Sequence, residues 1–415
     1  MTIRPGEPTG SVRAAATHAL RRLSRRVVTG LQAFLVFLLA APSGYASWRG
    51  DLDRATITPD ELLAGTSLGV PGGSPTPLVA EEEVLAVSAE MRAFVDAHVD
   101  RKASGNLKLH QLVSAIIDKA TFGVEYDDTT RTASETFRVR RGNCLSFSSM
   151  FVAMARDVGL SVQFQEVEVP PDWTLDNDTF VLNRHVNVYV DLERAGKRVV
   201  DFNIADFKAS YEMHKISDTR ARAHYYNNIG VARMQAGDTA SALACFRRAI
   251  ADNDRGFAAA WTNLATLYQR KGHLAHAEAA YLQALKASKW DLVAMSNLAR
   301  LYERIGDRER AATYQKKVVY HRLYNPYYRY SLALDALATG DLDAAIGHLK
   351  FAIRKRPKED QFCLQLGLTY LKKGDARSAR RWLARAQEVA ATDALKRRYS
   401  SKIDTLLRRG SGSHR

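Results

Sequence analysis

Three cysteines occur in 415 residues, Cys144, Cys245 and Cys363, and one of them stands where a thiol could do chemistry. Cys144 closes the loop Arg140-Arg141-Gly142-Asn143. It opens a run, Leu145 to Phe151, whose apolar residues continue at helical spacing to Val158-Gly159-Leu160. A free thiol is a poor nucleophile at neutral pH. At a helix N-terminus the backbone N–H groups and the helix dipole favour the thiolate. A neighbouring imidazolium favours it further and can protonate a leaving amine. A carboxylate behind the imidazole sets its tautomer and orientation. The chain offers a histidine at the head of an alternating segment, His185-Val186-Asn187-Val188-Tyr189-Val190. It offers an aspartate closing another, Val199-Val200-Asp201, with Asp191 and Asp206 as rivals at neighbouring strand ends.

Other chemistries find less support. His98, His110 and Cys144 lack metal-ligand spacing, and there is no zinc or calcium motif. No glycine-rich loop is placed to cradle a phosphate. No metal or cofactor is therefore expected. An odd, sparse cysteine count excludes a disulfide framework and leaves at least one thiol free. Cys245 and Cys363 fall inside helical segments too far apart to pair, so buried packing is the expected role of both.

The elements that would position these residues can be read locally. Two amphipathic helices are expected near 81–100 and 107–119, separated by Ser104-Gly105-Asn106. A loop follows from Tyr126 to Phe137, then the Cys144 helix, ended by Gly159. Beyond it the period becomes two, predicting strands at Val162–Val169, His185–Asp191 and Arg198–Phe202. The last two read as a hairpin across Ala195-Gly196.

Gly-Asn-Cys at the start of a buried helix, then a strand beginning with His, then a strand ending in Asp, resembles the transglutaminase-like superfamily. These are papain-like thiol enzymes with the order Cys, His, Asp. The resemblance covers about residues 80–210. It implies Cys144 as nucleophile, His185 as base and Asp201 as the group orienting the histidine. The backbone N–H of Cys144 is a candidate oxyanion donor. Gly142, Asn143, Gln165 and Asn187 are candidate substrate contacts, Gly142 because a substrate could approach its bare backbone. Asn187 stands where this family often has Trp, and Asn203 where it often has Thr, which bears on the substrate pocket.

The second half of the chain is periodic. Gly237, Gly272, Gly306, Gly340 and Gly374 recur at spacings of 35, 34, 34 and 34 residues. Small residues follow five positions later (Ala242, Ala277, Ala311, Ala345, Ala379) and seven beyond that (Ala249, Ala284, Val318, Ala352, Ala386). Antiparallel helices approach closely only over small side chains, and large residues at i, i+3, i+4 and i+7 fill the remaining space. No single pair buries its apolar face, so neighbours must stack. The pattern resembles the tetratricopeptide family, in five units over 223–389. The third is the least regular, with Gln315 where a large apolar residue is expected. The expected fold is thus an α+β papain-like or transglutaminase-like domain (81–215) followed by an all-α tetratricopeptide solenoid (223–389). A basic capping helix and tail complete it (390–415).

Residues 1–46 read as an export signal. Arg21, Arg22, Arg25 and Arg26 precede an apolar stretch from Val27 to Ala41, and small residues lead to Ala46. The stretch is shorter than the ~20 residues a spanning helix needs, although an uncleaved anchor is the alternative. Ser24-Arg25-Arg26 hints at twin-arginine export, with Val28 where that signal prefers Phe. Residues 47–80, rich in Gly, Pro and Thr, read as a flexible leader. An exported protein, in the periplasm or envelope, is the expectation.

The net charge of +15 is uneven. Residues 1–46 carry +5, residues 47–222 carry −7 and residues 223–415 carry +17. Opposite signs in the two halves suggest different partners. The basic array suits an acidic peptide or protein, or an anionic envelope polymer; nucleic acid is not expected of an exported chain. The expected function is a thiol hydrolase, a protease or amidase working through an acyl-enzyme. The alternatives are a non-catalytic adaptor acting through its repeats, a transamidase that crosslinks proteins, and action on peptidoglycan stem peptides.

Overall fold

The structure, a computed structural model, describes residues 57–70, 78–167, 173–176, 179–182, 185–202, 213–252, 255–390, 396–397 and 400. The expectations for the export signal, and for the final helix apart from 396–397 and 400, lie outside the described residues. All described residues belong to one compact unit. Among them no helix is long and apolar enough to cross a membrane.

The chain enters with a short helix α1 (Pro59–Ala64), capped by the Thr58 hydroxyl and stopped by left-handed Gly65. Helices α2 (Glu81–Val84), α3 (Ala89–His98) and α4 (Gly105–Ile117) follow. Next come strand β1 (Glu125–Tyr126), helix α5 (Ala133–Val139) and strand β2 (Arg141–Gly142), the two strands pairing in parallel. Helix α6 (Cys144–Asp157) fills the centre of this half, with Leu145 through Ala155 all buried. A run so uniformly apolar or small forms a helix that packs on every side.

The sheet behind it is β3 (Ser161–Val167), β4 (Trp173–Asp176), β5 (Thr179–Leu182), β6 (His185–Asp191), β7 (Lys197–Val200) and β8 (Met213–Ile216). Four strands run in the order β7-β6-β3-β8, all antiparallel neighbours, and β4 and β5 form a separate hairpin. The expected β6–β7 hairpin is present. Strand periodicity divides the sheet's side chains. Val162 and Phe164 share a side with Val186, Val188, Val190 and Val200, all buried in the core. Gln165 shares the other with His185 and Asn187.

Ten helices complete the described fold, two per repeat. They are α7 (Asp218–Gln235), α8 (Thr239–Asp252), α9 (Ala258–Arg270), α10 (Leu274–Ala287), α11 (Leu292–Arg304), α12 (Arg308–Tyr324), α13 (Pro326–Thr339), α14 (Leu342–Lys355), α15 (Asp360–Lys373) and α16 (Ala376–Val389). The five turn glycines all sit at positive φ, from 79° to 86°, which explains why glycine marks each turn. Ala242, Ala277, Ala311, Ala345 and Ala379 are all buried at the helix contacts. Gln315 is exposed and hydrogen-bonds Glu303, so the third pair lacks one apolar filler.

Two expectations change. The segment expected to be a flexible leader is docked where described. Leu62 of α1 is fully buried, and Arg247 donates to the Leu63 carbonyl (2.7 Å) and Tyr268 to that of Leu62 (2.7 Å). Tyr226 likewise donates to the Val79 carbonyl (2.8 Å). The expected first amphipathic helix breaks into α2 and α3, with Ser88 capping the second piece through the Met91 N–H.

The α+β half and the repeats share one apolar core, which runs from Leu62 through Phe151 and Val188 to Trp261 and Tyr302. Helix α7 is the joint. Glu166 of β3 accepts from Arg220 Nε and pairs with His224 Nε2, both at 2.7 Å. Burial opposes the charge of Glu166, but the His224 and Arg220 contacts outweigh it and hold its pKa well below the usual carboxylate range. A depressed folded value means stability that is present above about pH 4.5 and lost as pH falls towards the folded value. Glu166→Gln is expected to cost about 2–3 kcal/mol at pH 7 by removing the carboxylate that Arg220 and His224 share. The loss, read as a shift in urea midpoint, should shrink below pH 4.5.

Candidate functional site

The site begins with how α6 starts. Asn143 is its N-cap, and its Oδ1 accepts from the Ser146 N–H (3.0 Å) and hydroxyl (3.0 Å). This satisfies an N–H that an uncapped helix leaves bare, a contribution of about 1 kcal/mol. The amide nitrogen of Asn143 donates to Thr130 Oγ1 at 2.7 Å. The Asn143 N–H donates to the Thr129 carbonyl (3.3 Å), and the Arg131 N–H to Ser146 Oγ (2.9 Å). Loop 129–131 and the first turn of α6 are therefore laced together, and Cys144 is the first residue of that turn.

Gly142 is required by the same packing. A Cβ there would lie 2.6 Å from Ser146 Cβ. Its bare side faces the helix it precedes, which accounts for the glycine without the substrate approach expected from sequence. Asn143 is likewise occupied at both ends of its amide and positions the helix rather than meeting a substrate.

His185 heads β6 and is buried. Its Nε2 lies 2.7 Å from Asp201 Oδ2. Cys144 also favours its charged form, and with Nε2 committed to Asp201 the nitrogen left for the sulfur is Nδ1. Burial disfavours the imidazolium. The Asp201 hydrogen bond, then the contact with Cys144, overcome that and raise its pKa to about 10. The three residues expected to act together are thus brought together, from a helix start, a strand start and a strand end. Of the rival carboxylates, Asp191 accepts from its own strand's Tyr189 and from the Glu193 N–H. Asp206 and Asn203 lie outside the described residues.

Asp201 is held by its neighbours. Continuing the β6–β7 register by one residue sets it opposite Asn187, whose Nδ2 donates to the same Oδ2 at 3.0 Å. Phe202, one residue on, packs its ring against Phe147 and Phe151 of α6. Asn187 has no exposed surface, so its place is behind the triad rather than in a substrate pocket. Gln165 pairs with Asn187 across the strands and is also buried. Among the described residues Gln165 Oε1 and Asn187 Oδ1 find no hydrogen-bond partner. Cys245 and Cys363 are fully buried, and burial pushes both thiols up to about 11, so they stay protonated. Among the described residues no cluster of His, Cys, Asp and Glu could hold a metal ion.

Sequence reasoning missed the support from the repeat array. Asn228 of α7 donates to Thr130 Oγ1 at 3.2 Å, the same oxygen that takes the Asn143 amide. Asn228 stands nine residues before the turn glycine Gly237. Asn263 and Asn297 occupy the same place before Gly272 and Gly306. That recurrence was the available signal; the partner, 98 residues away, left none.

Residues 93–198 match the transglutaminase-like superfamily. Residues 227–291, 294–321 and 336–397 match tetratricopeptide repeats. The chain is a transglutaminase-like domain followed by tetratricopeptide repeats. Among curated proteins it is similar to a TPR repeat-containing protein of Pseudomonas aeruginosa, 35% identical over 111 residues, 27% of this chain. The match spans 43% of that relative's length. Among solved structures it is similar to YrrB, described as a TPR protein with an unusual peptide-binding site. The identity there is 18%, covering 43% of this chain and 92% of that one, with a TM-score of 0.23. It is also similar to MamA from Desulfovibrio magneticus RS-1, at 18% identity, 40% and 94% coverage and a TM-score of 0.23.

Thr130→Val removes the oxygen that serves both amides, one on buried Asn143 and one on half-buried Asn228. Such losses run to about 1–3 kcal/mol each. The expected outcome is a several-fold slower alkylation of Cys144 in the full chain, with Thr130→Ser restoring the wild-type rate. Equal rates in all three proteins would show that the lacing does not position the thiol.

Proposed function

We propose that this protein is an exported thiol hydrolase that cleaves an amide bond in a protein or peptide, with its repeats holding the partner. The observation that carries the reading is His185 set between Asp201, at 2.7 Å, and Cys144, its charge favoured by both. Cys144 Sγ attacks the substrate carbonyl carbon, and the C–N bond breaks as the tetrahedral adduct collapses. The His185 imidazolium gives its proton to the departing amine. A thioester remains on Cys144. Water then attacks it, His185 takes the proton, and the acid leaves. The Cys144 N–H, free at the first turn of α6, is in place to steady the oxyanion. Asp201 keeps Nδ1 turned to the sulfur, and Asn187 keeps Asp201 in place.

A lysine amine could replace water in the second step and give a crosslink. Hydrolysis is favoured because no motif of the sequence argues for an amine-acceptor site. The export part of the reading rests on the basic, apolar and small-residue succession in residues 21–46. The capture part rests on the surplus of cations in the repeats, which favours an acidic partner over a neutral one.

The test is thiol-specific labelling of the full chain with iodoacetamide near pH 6. Cys144 should label, Cys245 and Cys363 should not while folded, and His185→Ala should slow Cys144 by about tenfold or more. A His185→Ala rate equal to wild type would end the catalytic reading and leave an adaptor. Asp201→Asn should lower turnover of a trapped substrate by on the order of 10²-fold or more.

The raised pKa of His185 has its own consequence. The folded value lies above the ordinary 6.5, so its stabilising contribution is complete below that pH and is lost as pH rises through about 10. The stability gap between wild type and His185→Ala, compared by urea midpoint, should be widest near pH 6 and close between pH 7 and 10.

A further inference from the structure

Most large exposed apolar residues stand alone, but one group does not. Trp290 follows α10, and Val319, Tyr320 and Tyr324 lie on α12; each is 46–53% exposed. The rings form a continuous row. Trp290 lies tilted against His321 at 4.1 Å between centroids, Tyr320 lies 5.8 Å from His321 and 4.4 Å from Tyr324, and Tyr324 meets Phe351 of α14 at 5.9 Å. The row crosses the joint between the third and fourth repeats. The apolar core runs to Ala311 and resumes as a separate cluster from Ala333.

Cations cover the row. Lys289 sits over Trp290 at 5.0 Å, Lys355 over Tyr324 at 4.8 Å, and Arg329 and Arg354 over Phe351 at 4.5 and 5.5 Å. Residues 279–290, 310–334 and 344–358 contain twelve Lys and Arg and no Asp or Glu, and each stretch is flanked by acids: Glu278 and Asp291, Glu309 and Asp335, Asp343 and Glu359. Of these, Glu278 pairs with Arg310, Asp343 pairs with Lys373, and Asp291 and Glu359 are buried. Among the described residues no carboxylate pairs with Lys289, Lys355 or Arg354. Cations therefore outnumber acids on this strip, where i,i+4 pairing would ordinarily balance them.

We propose that this aromatic and cationic strip, centred on Trp290, Tyr320, Tyr324 and Lys355, is the docking surface for an acidic segment of a partner protein. It rests on the reading of the array as the capturing arm and names where on the array capture occurs. Two features choose that occupant. The surplus of cations over three stretches makes the strip complementary to an anionic chain. The lysine and arginine heads lie over the faces of Trp290, Tyr324 and Phe351, so charge and ring are presented together. An extended acidic segment can place carboxylates on the heads and its stem along the rings.

The experiment is fluorescence anisotropy of labelled poly-glutamate against the full-chain Cys144→Ala protein, with labelled poly-glutamine as the neutral counterpart. Poly-glutamate should bind and poly-glutamine should not. Lys289→Glu with Lys355→Glu should weaken binding at least tenfold, and Tyr320→Ala with Tyr324→Ala several-fold. Arg377→Glu with Arg380→Glu, equal in charge change but on α16, should weaken it less than twofold. All positions are at the surface, and thermal melts check that each variant is folded. An equal loss in the α16 variant would overturn the proposal, because attraction would then be a property of net charge. Co-sedimentation with phosphatidylglycerol vesicles that depends on the same tyrosines, without poly-glutamate binding, would overturn it in favour of a membrane. Failure of Cys144 to label would remove the catalytic reading and leave these outcomes unchanged.

Discussion

The position of the Cys144 sulfur follows from hydrogen bonds made by a side chain beside it. Asn143 caps α6 with its oxygen and reaches Thr130 with its nitrogen, so the helix start and loop 129–131 move as one body. His185 and Asp201 would be correctly spaced on their own strands without this, since the β6–β7 register sets them. Their spacing would serve nothing if the helix start drifted by an ångström, because a near-attack geometry tolerates little displacement. The cap is thus the constraint on which the helix, the loop and the triad converge. The array enters at the same point, because Asn228 adds a second donor to Thr130 Oγ1. A repeat helix thus helps to hold the loop against which α6 starts.

Much of this was legible in the sequence, for reasons specific to each part. The turn glycines could be read because positive φ selects one residue type and the repeat multiplies the signal fivefold. Cys144, His185 and Asp201 could be read because each begins or ends an element whose period is visible. What could not be read depends on pairs with no local trace. Tyr268 meets Leu62 across 206 residues, Tyr226 meets Val79 across 147, and Asn228 meets Thr130 across 98. Composition made 47–80 look loose, yet α1 docks because Leu62 finds a pocket among repeat residues far along the chain. Gly142, Asn143 and Asn187 were recognised as special for the wrong reason. Residues close to a nucleophile look like substrate contacts in one dimension; in three, each is spent on packing or on holding another residue.

The charge asymmetry also changes meaning. Read from sequence, opposite signs in the two halves suggested separate partners. Part of the opposition is consumed inside the molecule. Arg248 pairs with Glu81, Arg255 with Asp60 and His224 with Glu166 across the division, while Arg220–Glu166 and Arg156–Asp218 tie the start of α7 to the same face. Several of these pairs are exposed and worth little singly, but they orient the first repeat on the α+β half while the shared apolar core supplies the energy.

That internal use sorts the remaining cations. The first repeat's arginines face acids of the other half. In the third and fourth repeats the chain runs from residue 310 to 334 without an acid, and Lys317 and Lys355 lie over the rings of Tyr314 and Tyr324. A ring stabilises an ammonium by about 0.5–1 kcal/mol at an exposed site, less than a charge-assisted hydrogen bond to a carboxylate supplies. A carboxylate arriving from outside would therefore find cations held in place and weakly satisfied. The order along the chain is then a thiol site, a first repeat that packs against it, and later repeats in which Lys289, Arg354 and Lys355 lie over aromatic rings. On the proposed reading, an acidic segment held at the third and fourth repeats would leave the rest of its own chain to reach Cys144.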